Sequence, residues 1–405
     1  MLERTVGVGV IGCGVISQIY LRNLTKTFRN VEVVAVADAV QGRAKQRAEE
    51  FAVPIVCRNN EELFAREDVE IIVNLTVPTE HVGVSMAALE AGKHVFTEKP
   101  LAMTRESGRE LVALAEDRGL LLACAPDTVL GASMQMCRKL ISDGWIGKPF
   151  AAIGHGLRSG PESWHPEPAF LYQKGAGPLF DTGPYFVTAM AYLLGPVESV
   201  SCSAVAPWAE RVITSARHFG EKIAVEVPTT VAMHLGFVSG AMASIVISND
   251  IGSSRQHDAR QHNQGIEVYG SEGTLAVPSP SFFDGQIYYK REGMEGWCEV
   301  PSLFCYGGDA RGLGVAEVAG AVRLGRRPRI NAEMAYHTLD VLVGLDVSLQ
   351  GSGREVVRSS FDVPAPLSPR VVVGEVEDPG EGDAPLDGFV WPPRRPVVAE
   401  SGREA

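Results

Sequence analysis

The run Val6-Gly7-Val8-Gly9-Val10-Ile11-Gly12-Cys13-Gly14-Val15-Ile16-Ser17 decides the fold of the amino-terminal part of the chain. Val6–Ile11 is apolar or glycine throughout, with no polar alternation, as a strand buried on both faces should be. Apolar residues from Ile16 to Leu24 then recur at helical spacing. The turn between them carries Gly12 and Gly14. Gly12 permits a tight turn, and Gly14 removes a side chain where backbone would approach a pyrophosphate. The helix opening at Val15 and Ile16 then offers free N–H groups and the positive end of its dipole to that anion. Ser17 occupies the third small position, where Gly or Ala is usual.

Working outward, the same alternation continues. Val31–Ala37, Val69–Leu75 and His94–Thr97 read as buried strands; Gln41–Phe51, Glu80–Ala91 and Arg105–Arg118 read as helices. Repeated βα units imply a doubly wound parallel sheet, a Rossmann domain over residues 1–125. Asp38 ends the second strand, where a carboxylate grips a ribose 2′-hydroxyl and repels a 2′-phosphate. Ala39 and Val40 follow, with no adjacent Arg to receive a 2′-phosphate, so the expected cofactor is NAD rather than NADP; Arg43, one helical turn further on, is the residue that would favour NADP. Thr76-Val77-Pro78-Thr79-Glu80-His81 and Glu98-Lys99-Pro100 follow the next two strands, at the sheet edge where ligands collect. Thr76, Pro78, His81, Glu98 and Lys99 are therefore cofactor-side candidates, and Thr79 is a candidate cap for the helix after it.

After Trp145-Ile146-Gly147-Lys148-Pro149 the pattern changes. Strands are expected at Phe150–Leu157, Val197–Val205, Thr229–Leu235, Ala241–Ser248, Ile266–Tyr269 and Thr274–Val277. Their alternation without intervening helices suggests an open, mostly antiparallel sheet in an α+β domain over residues 126–363. The whole chain is then of the α/β class. One helix is expected at Tyr185–Leu194, and two late ones, Gly312–Leu324 and Ala332–Gln350, are expected to pack back near the first domain. Residues 364–405 are rich in Pro, Gly and acid and read as a tail. Its Phe389-Val390-Trp391-Pro392-Pro393 would either stay disordered or dock on a neighbouring subunit.

Composition excludes several classes. The net charge of −12 comes with no basic stripe, against a nucleic-acid partner. Seven cysteines, scattered with no Cys-x-x-Cys pair, read as thiols in a reducing compartment, so the expected location is cytoplasmic. No stretch approaches the ~20 apolar residues of a membrane span. No Gly-x-Ser-x-Gly elbow is present, no metal site is expected, and His257 and His262 lie in a polar, loop-like stretch.

Gly12 and Gly14, Asp38, Thr76–His81 and Glu98–Pro100 in this order resemble the Gfo/Idh/MocA family of sugar and inositol dehydrogenases, over roughly residues 5–350. The resemblance implies a nicotinamide held between the two domains and a homo-oligomer, dimer or tetramer, often built on the open sheet. It implies that Lys99 contacts substrate and nicotinamide ribose, and that Lys99–Pro100 is a candidate cis bond. Gly175-Ala176-Gly177-Pro178-Leu179-Phe180-Asp181-Thr182-Gly183-Pro184-Tyr185 resembles the family's segment ending Asp-x-Gly-x-His. Asp181 matches the substrate-positioning Asp, while Tyr185 stands where many members carry His. Gly270–Leu275 fits a late strand–turn segment and reads as structural.

The chemistry expected is hydride transfer between nicotinamide and a hydroxyl or keto carbon of a sugar, inositol or related polyol. A secondary alcohol needs a group to take its proton. Tyr and Lys ordinarily titrate near ~10 and ~10.4. A Lys ammonium favours a neighbouring phenolate, and burial is expected to lower Lys99, so Tyr185 and Lys99 form a candidate proton relay with Asp181. Asp127, His155, Arg158, Trp164 and His165 are substrate-side candidates: Trp164 for stacking on a sugar ring, His165 as a replacement acid–base group. Two alternatives stay open within the resemblance: redox-neutral, NAD-dependent glycoside cleavage, and a non-enzymatic nucleotide-binding regulator.

Overall fold

The computed structural model describes residues 5–252 and 265–376. Its first sheet holds β1 (Val6–Ile11), β2 (Val31–Ala37), β3 (Ile55–Val56), β4 (Ile71–Asn74), β5 (His94–Thr97) and β6 (Leu122–Cys124). All pair in parallel, in the order β3-β2-β1-β4-β5-β6. Helices α1 (Ser17–Lys26), α2 (Gln41–Phe51), α3 (Asn60–Phe64), α4 (His81–Glu90) and α5 (Arg105–Asp117) are its crossovers. The strands are apolar on both faces because helices cover both. Strand order reverses between β1 and β4, which opens a crevice at their carboxyl ends.

Helix α6 (Ala132–Ser142) leads into β7 (Pro149–Leu157), and α7 (Gly177–Asp181) and α8 (Gly183–Leu194) follow it. Strands β8 (Val197–Val205), β9 (Glu210–Val212), β10 (Lys222–Ala224), β11 (Thr230–Phe237), β12 (Met242–Ser248), β13 (Ile266–Gly270), β14 (Gly273–Val277), β15 (Ile287–Arg291) and β16 (Cys298–Val300) precede α9 (Leu313–Leu324), α10 (Ala332–Val347) and β17 (Glu355–Val356). The second sheet has nine strands in the order β16-β15-β14-β13-β7-β12-β11-β8-β17. Only β7 and β12 pair in parallel. β9 and β10 form a separate ribbon. Ser271 and Glu272 make the two-residue connection of the β13–β14 hairpin, the structural role read for Gly270–Leu275.

Helix α8 is apolar around its circumference, and every one of its residues except Tyr185 is buried. The late helices do reach the first domain. Arg105 of α5 donates to Asp340 of α10 at 2.5 Å, and Gly108 admits Leu339 where a Cβ would stand only 2.4 Å from it. Glu317 of α9 is fully buried and takes ion pairs from Arg326 and Arg329. No helix of the described residues is long and apolar enough to cross a membrane.

Residues 364–376 depart from the expectation of a loose tail. Leu367, Val371 and Val376 are buried, Leu367 N–H donates to Gln135 at 2.6 Å, and Arg29 N–H donates to the Gly374 carbonyl at 2.9 Å. Apolar residues spaced between the prolines supply the burial that composition alone conceals. Phe389–Pro393, His257 and His262 lie outside the described residues.

His337 of α10 shows how burial ties this fold to pH. Its Nε2 accepts the Val197 N–H at 2.9 Å, so the proton sits on Nδ1, which donates to Ser359. Burial pushes its pKa down to about 4, against the opposing pull of Asp340. The folded value lies below the unfolded one, so the stabilisation is present above about 6.5 and is lost as pH falls towards about 4. The loss expected is about 3 kcal/mol. Urea unfolding at neutral pH and near pH 4 should show a smaller acid loss in His337→Gln than in the wild type. Equal losses would assign the acid sensitivity elsewhere.

Candidate active site

At the carboxyl ends of β1 and β2 the structure assembles a dinucleotide cradle. Gly12 adopts φ +94°, a left-handed value, with the Leu75 carbonyl 2.5 Å from where a Cβ would stand. Gly14 faces open space within 4 Å, so its missing side chain leaves room for a ligand rather than for protein. No side chain caps α1 at Ile16, and no acid lies in its first turn, so its N–H groups remain available to an anion. Val15 is exposed at the same turn. Asp38 is held by the N–H groups of Cys13 and Val40, each at 2.7 Å, which fixes its carboxylate beside the glycine turn. These residues fit a dinucleotide. Thr76 and Pro78 line the cleft beyond β4, and His81 ties the edge together: Nδ1 lies 2.7 Å from the Pro100 carbonyl and Nε2 3.1 Å from that of Thr76. Thr79 does not cap α4; it lies in a 3₁₀ turn, Pro78–Glu80, and α4 starts without a side-chain cap.

Lys99 stands at the end of β5, followed by a cis bond to Pro100. Glu98 braces it from behind, accepting the Lys99 N–H at 3.0 Å and the Tyr20 hydroxyl at 2.8 Å. Lys99 Nζ donates to the Asp181 side chain and carbonyl, both at 2.8 Å. The other Asp181 oxygen accepts from Arg158 at 2.7 Å, and Arg158 Nε donates to Asn249 at 3.1 Å. Asp181 thus sits between two cations. Burial works against its charge, but Lys99 and Arg158 outweigh it and hold its pKa down to about 2. Burial likewise opposes the Lys99 charge, yet Asp181, Tyr185 and Glu98 reverse the balance and hold Lys99 above its ordinary range. The sequence reading expected burial to lower Lys99; the ion pair explains the opposite result. The ion pair favours the ammonium form of Lys99.

Tyr185 projects from the first turn of α8 into the same cleft, with Lys99 Nζ 5.5 Å from its ring centroid. Arg311, from the turn before α9, lines the same cleft. The cleft has a volume of about 460 Å³. Its rim is aromatic: Trp164, His165 and Phe170 stack edge to face at 5.4 Å per pair, and Phe282 is exposed opposite. Burial lowers His165, whose Nδ1 accepts the Glu167 N–H at 2.9 Å.

Two candidates stand elsewhere. His155 is on the face of β7 opposite to Gly154 and Gly156, which pack on α8, and it does not line the cleft. Period-two alternation turned it away, whereas Arg158, beyond the strand end, was free to turn in. Asp127 is 2% exposed and accepts the N–H groups of Gly312 and Gly314 at 2.9 and 3.0 Å. It holds the start of α9 rather than facing a substrate, and burial, opposed by Gly314 and Arg311, pushes its pKa up to about 6.

Residues 6–125 match the oxidoreductase family GFO/IDH/MocA, NAD-binding Rossmann fold, and residues 134–276 match the GFO/IDH/MocA C-terminal domain. The chain belongs to the GFO/IDH/MocA family. Among curated relatives of this family, inositol 2-dehydrogenase of Salmonella typhimurium is 29% identical over 171 residues, 42% of this chain and 51% of its own. 1,5-anhydro-D-fructose reductase of Ensifer adhaerens is 27% identical over 275 residues, covering 66% of this chain and 74% of its own. D-glucoside 3-dehydrogenase of Escherichia coli is 28% identical over 198 residues, 48% and 56%. The chain therefore spans about half the length of the inositol dehydrogenases it matches. Levoglucosan dehydrogenase, solved with NADH and levoglucosan, superposes with TM-score 0.73 at 20% identity over 88% of this chain and all of that one.

Sequence reasoning missed Arg311, Phe170 and Phe282 in this GFO/IDH/MocA cleft, and Asn249 behind Arg158. Only Arg311 left a trace. It closes the glycine-rich run Gly307-Gly308-Asp309-Ala310-Arg311-Gly312 directly before a helix, a place where charge is seldom idle.

Proposed function

We propose that the protein is an NAD-dependent dehydrogenase or reductase that works on a hydroxyl or keto carbon of a sugar, inositol or related polyol. One observation carries this reading: the Lys99–Asp181–Arg158 chain and the Tyr185 hydroxyl converge in a cleft that opens on the cradle of Gly12, Gly14 and Asp38. The relatives named above act on polyols, anhydrosugars or glucosides by their names, which supports the substrate class.

When bound, the nicotinamide supplies the hydride acceptor or donor. The protein's own residues handle the rest. Lys99, immobilised by Asp181, donates a hydrogen bond to the reacting oxygen and compensates charge developing on it. Tyr185 takes the hydroxyl proton in oxidation and returns one to the alkoxide in reduction. Trp164 on the rim offers a flat apolar face to a pyranose or cyclitol ring.

The test is NADH absorbance in mixtures of protein, NAD and a panel of inositols, hexoses and glucosides. Growth with one class supports the reading and names the group. A flat trace across the panel in both the oxidising and the NADH-consuming direction sinks it. Cleaved glycoside in the same mixtures would then mark redox-neutral chemistry.

The fixed Asp38 carboxylate also predicts cofactor choice. NAD is expected to bind at least tenfold tighter than NADP, about 1.4 kcal/mol. Asp38→Ser should narrow the gap several-fold, as read by fluorescence titration with NADH and NADPH. Tighter NADPH binding by the wild type would refute the assignment.

A further inference from the structure

We propose that Arg311 is the positioning residue for Tyr185, and that a guanidinium–phenol pair does here the proton work that a histidine would do alone. The inference rests on the reading of Tyr185 as the proton-exchanging group.

The need comes from chemistry. A phenol gives up its proton near pH ~10 in water, far above the range in which imidazole works. It serves near neutral pH only if neighbouring positive charge compensates its oxygen. Lys99 is one such charge, but both of its side-chain hydrogen bonds end on Asp181, whose carboxylate offsets it. A second cation is required. Arginine is suited to the task because its guanidinium keeps its proton under all conditions in which the protein folds.

The structure invests heavily in holding that guanidinium still. Asn23 of α1, 5% exposed, donates to the carbonyls of Asp309 and Arg311, both at 2.8 Å. Asp127 takes the N–H groups of Gly312 and Gly314 on the other side. Gly312 has φ +97°, which makes the turn possible for a residue without a side chain. Asp309 pairs with the guanidinium at 2.7 Å, and the Arg311 side chain is 19% exposed. Asn23 of the first domain and Asp127 at the entry to the second thus clamp a turn whose cation lines the same cleft as the phenol of α8. A generic surface arginine needs no such clamp.

Titratable and charged groups line the cleft with Tyr185 from each surrounding element: Lys99 and Glu98 from the end of β5, His81 from the start of α4, Arg158 and His165 beyond β7, Asp181 from α7, and Arg311 from the turn. Burial opposes the Arg311 charge, but the charge and hydrogen bond of Tyr185, then Asp309 and Asp127, outweigh it and drive the guanidinium further up.

The experiment compares wild type, Arg311→Met, Arg311→Lys and Tyr185→Phe, with the double variant Arg311→Met/Tyr185→Phe, all checked for unchanged melting temperature. The first readout needs no substrate. The tyrosinate absorbance that Tyr185→Phe lacks should appear at least one pH unit higher in Arg311→Met, and near its wild-type position in Arg311→Lys. On the substrate found above, Arg311→Met should lower kcat at neutral pH at least tenfold with KM within about threefold. It should cost less than twofold when Tyr185 is already Phe. An unshifted tyrosinate signal, or an equal cost in both backgrounds, would overturn the pairing. Near-normal turnover of Tyr185→Phe is a different failure: it removes Tyr185 from the reaction and leaves the absorbance result to stand or fall by itself.

Discussion

Lys99→Ala is expected to lose at least ~10³-fold in kcat/KM, about 4 kcal/mol of transition-state stabilisation. Three effects combine in that figure. The ammonium is lost from the reacting oxygen, where a single well-placed donor is worth ~10²–10³. The cation 5.5 Å from the Tyr185 ring centroid disappears. Asp181, which is held down to about 2 by Lys99 and Arg158 together, loses one partner and becomes a partly compensated buried carboxylate. The loss should fall mainly on kcat, because the oxygen's charge is greatest in the transition state. NADH affinity should change far less, since the pyrophosphate cradle lies at Gly12 and Gly14. Steady-state rates beside NADH fluorescence titration separate the two. A variant that keeps a tenth of the wild-type rate would show that Lys99 is an architectural partner of Asp181 and no more.

Tyr185→Phe is expected to lose at least ~10²-fold, within the usual range for a general acid–base group. The substitution removes one oxygen from the single α8 residue that is not buried, so packing is preserved and stability should change little. His165 lines the same cleft and is the nearest alternative in kind, but its Nδ1 is taken by the Glu167 N–H and burial lowers its basicity. His165→Gln should therefore cost much less than Tyr185→Phe. The reverse order of losses would transfer the proton-exchange role to His165.

Much of the first domain was legible because its signals are local. The buried strands β1, β2 and β5 and the helix α2 fall where periodicity places them, since a parallel sheet covered on both faces needs continuous apolar runs. Of the strands that escaped notice, β3, β6, β9, β10, β16 and β17 are two or three residues long, and only β15 reaches five. Pairing with a partner strand makes the short ones strands, and no window of two or three residues carries a period. α6 escaped for another reason. Eight of its eleven residues are buried, polar Ser133 and Gln135 among them, and these interrupt the apolar run that marks a buried element.

The site divides in the same way. Gly12, Gly14, Asp38, Glu98 and Lys99 sit at the ends of strands whose register in one parallel sheet dictates that they meet, so local sequence determined the cofactor side. The substrate side was decided by tertiary structure. Lys99 and Asp181 are separated by 82 residues and Asn23 and Arg311 by 288, and hydrogen bonds across such distances leave no spacing to read. The direction in which Lys99 titrates changed sign for that reason: burial is foreseeable from an apolar strand, but Asp181, the foremost of the groups that together outweigh it, arrives from another domain. Sequence by itself determined that a dinucleotide cradle forms and where a lysine enters it. Only the folded chain decided which side chains face that lysine, because charge and hydrogen bonding depend on distance in space and not along the chain.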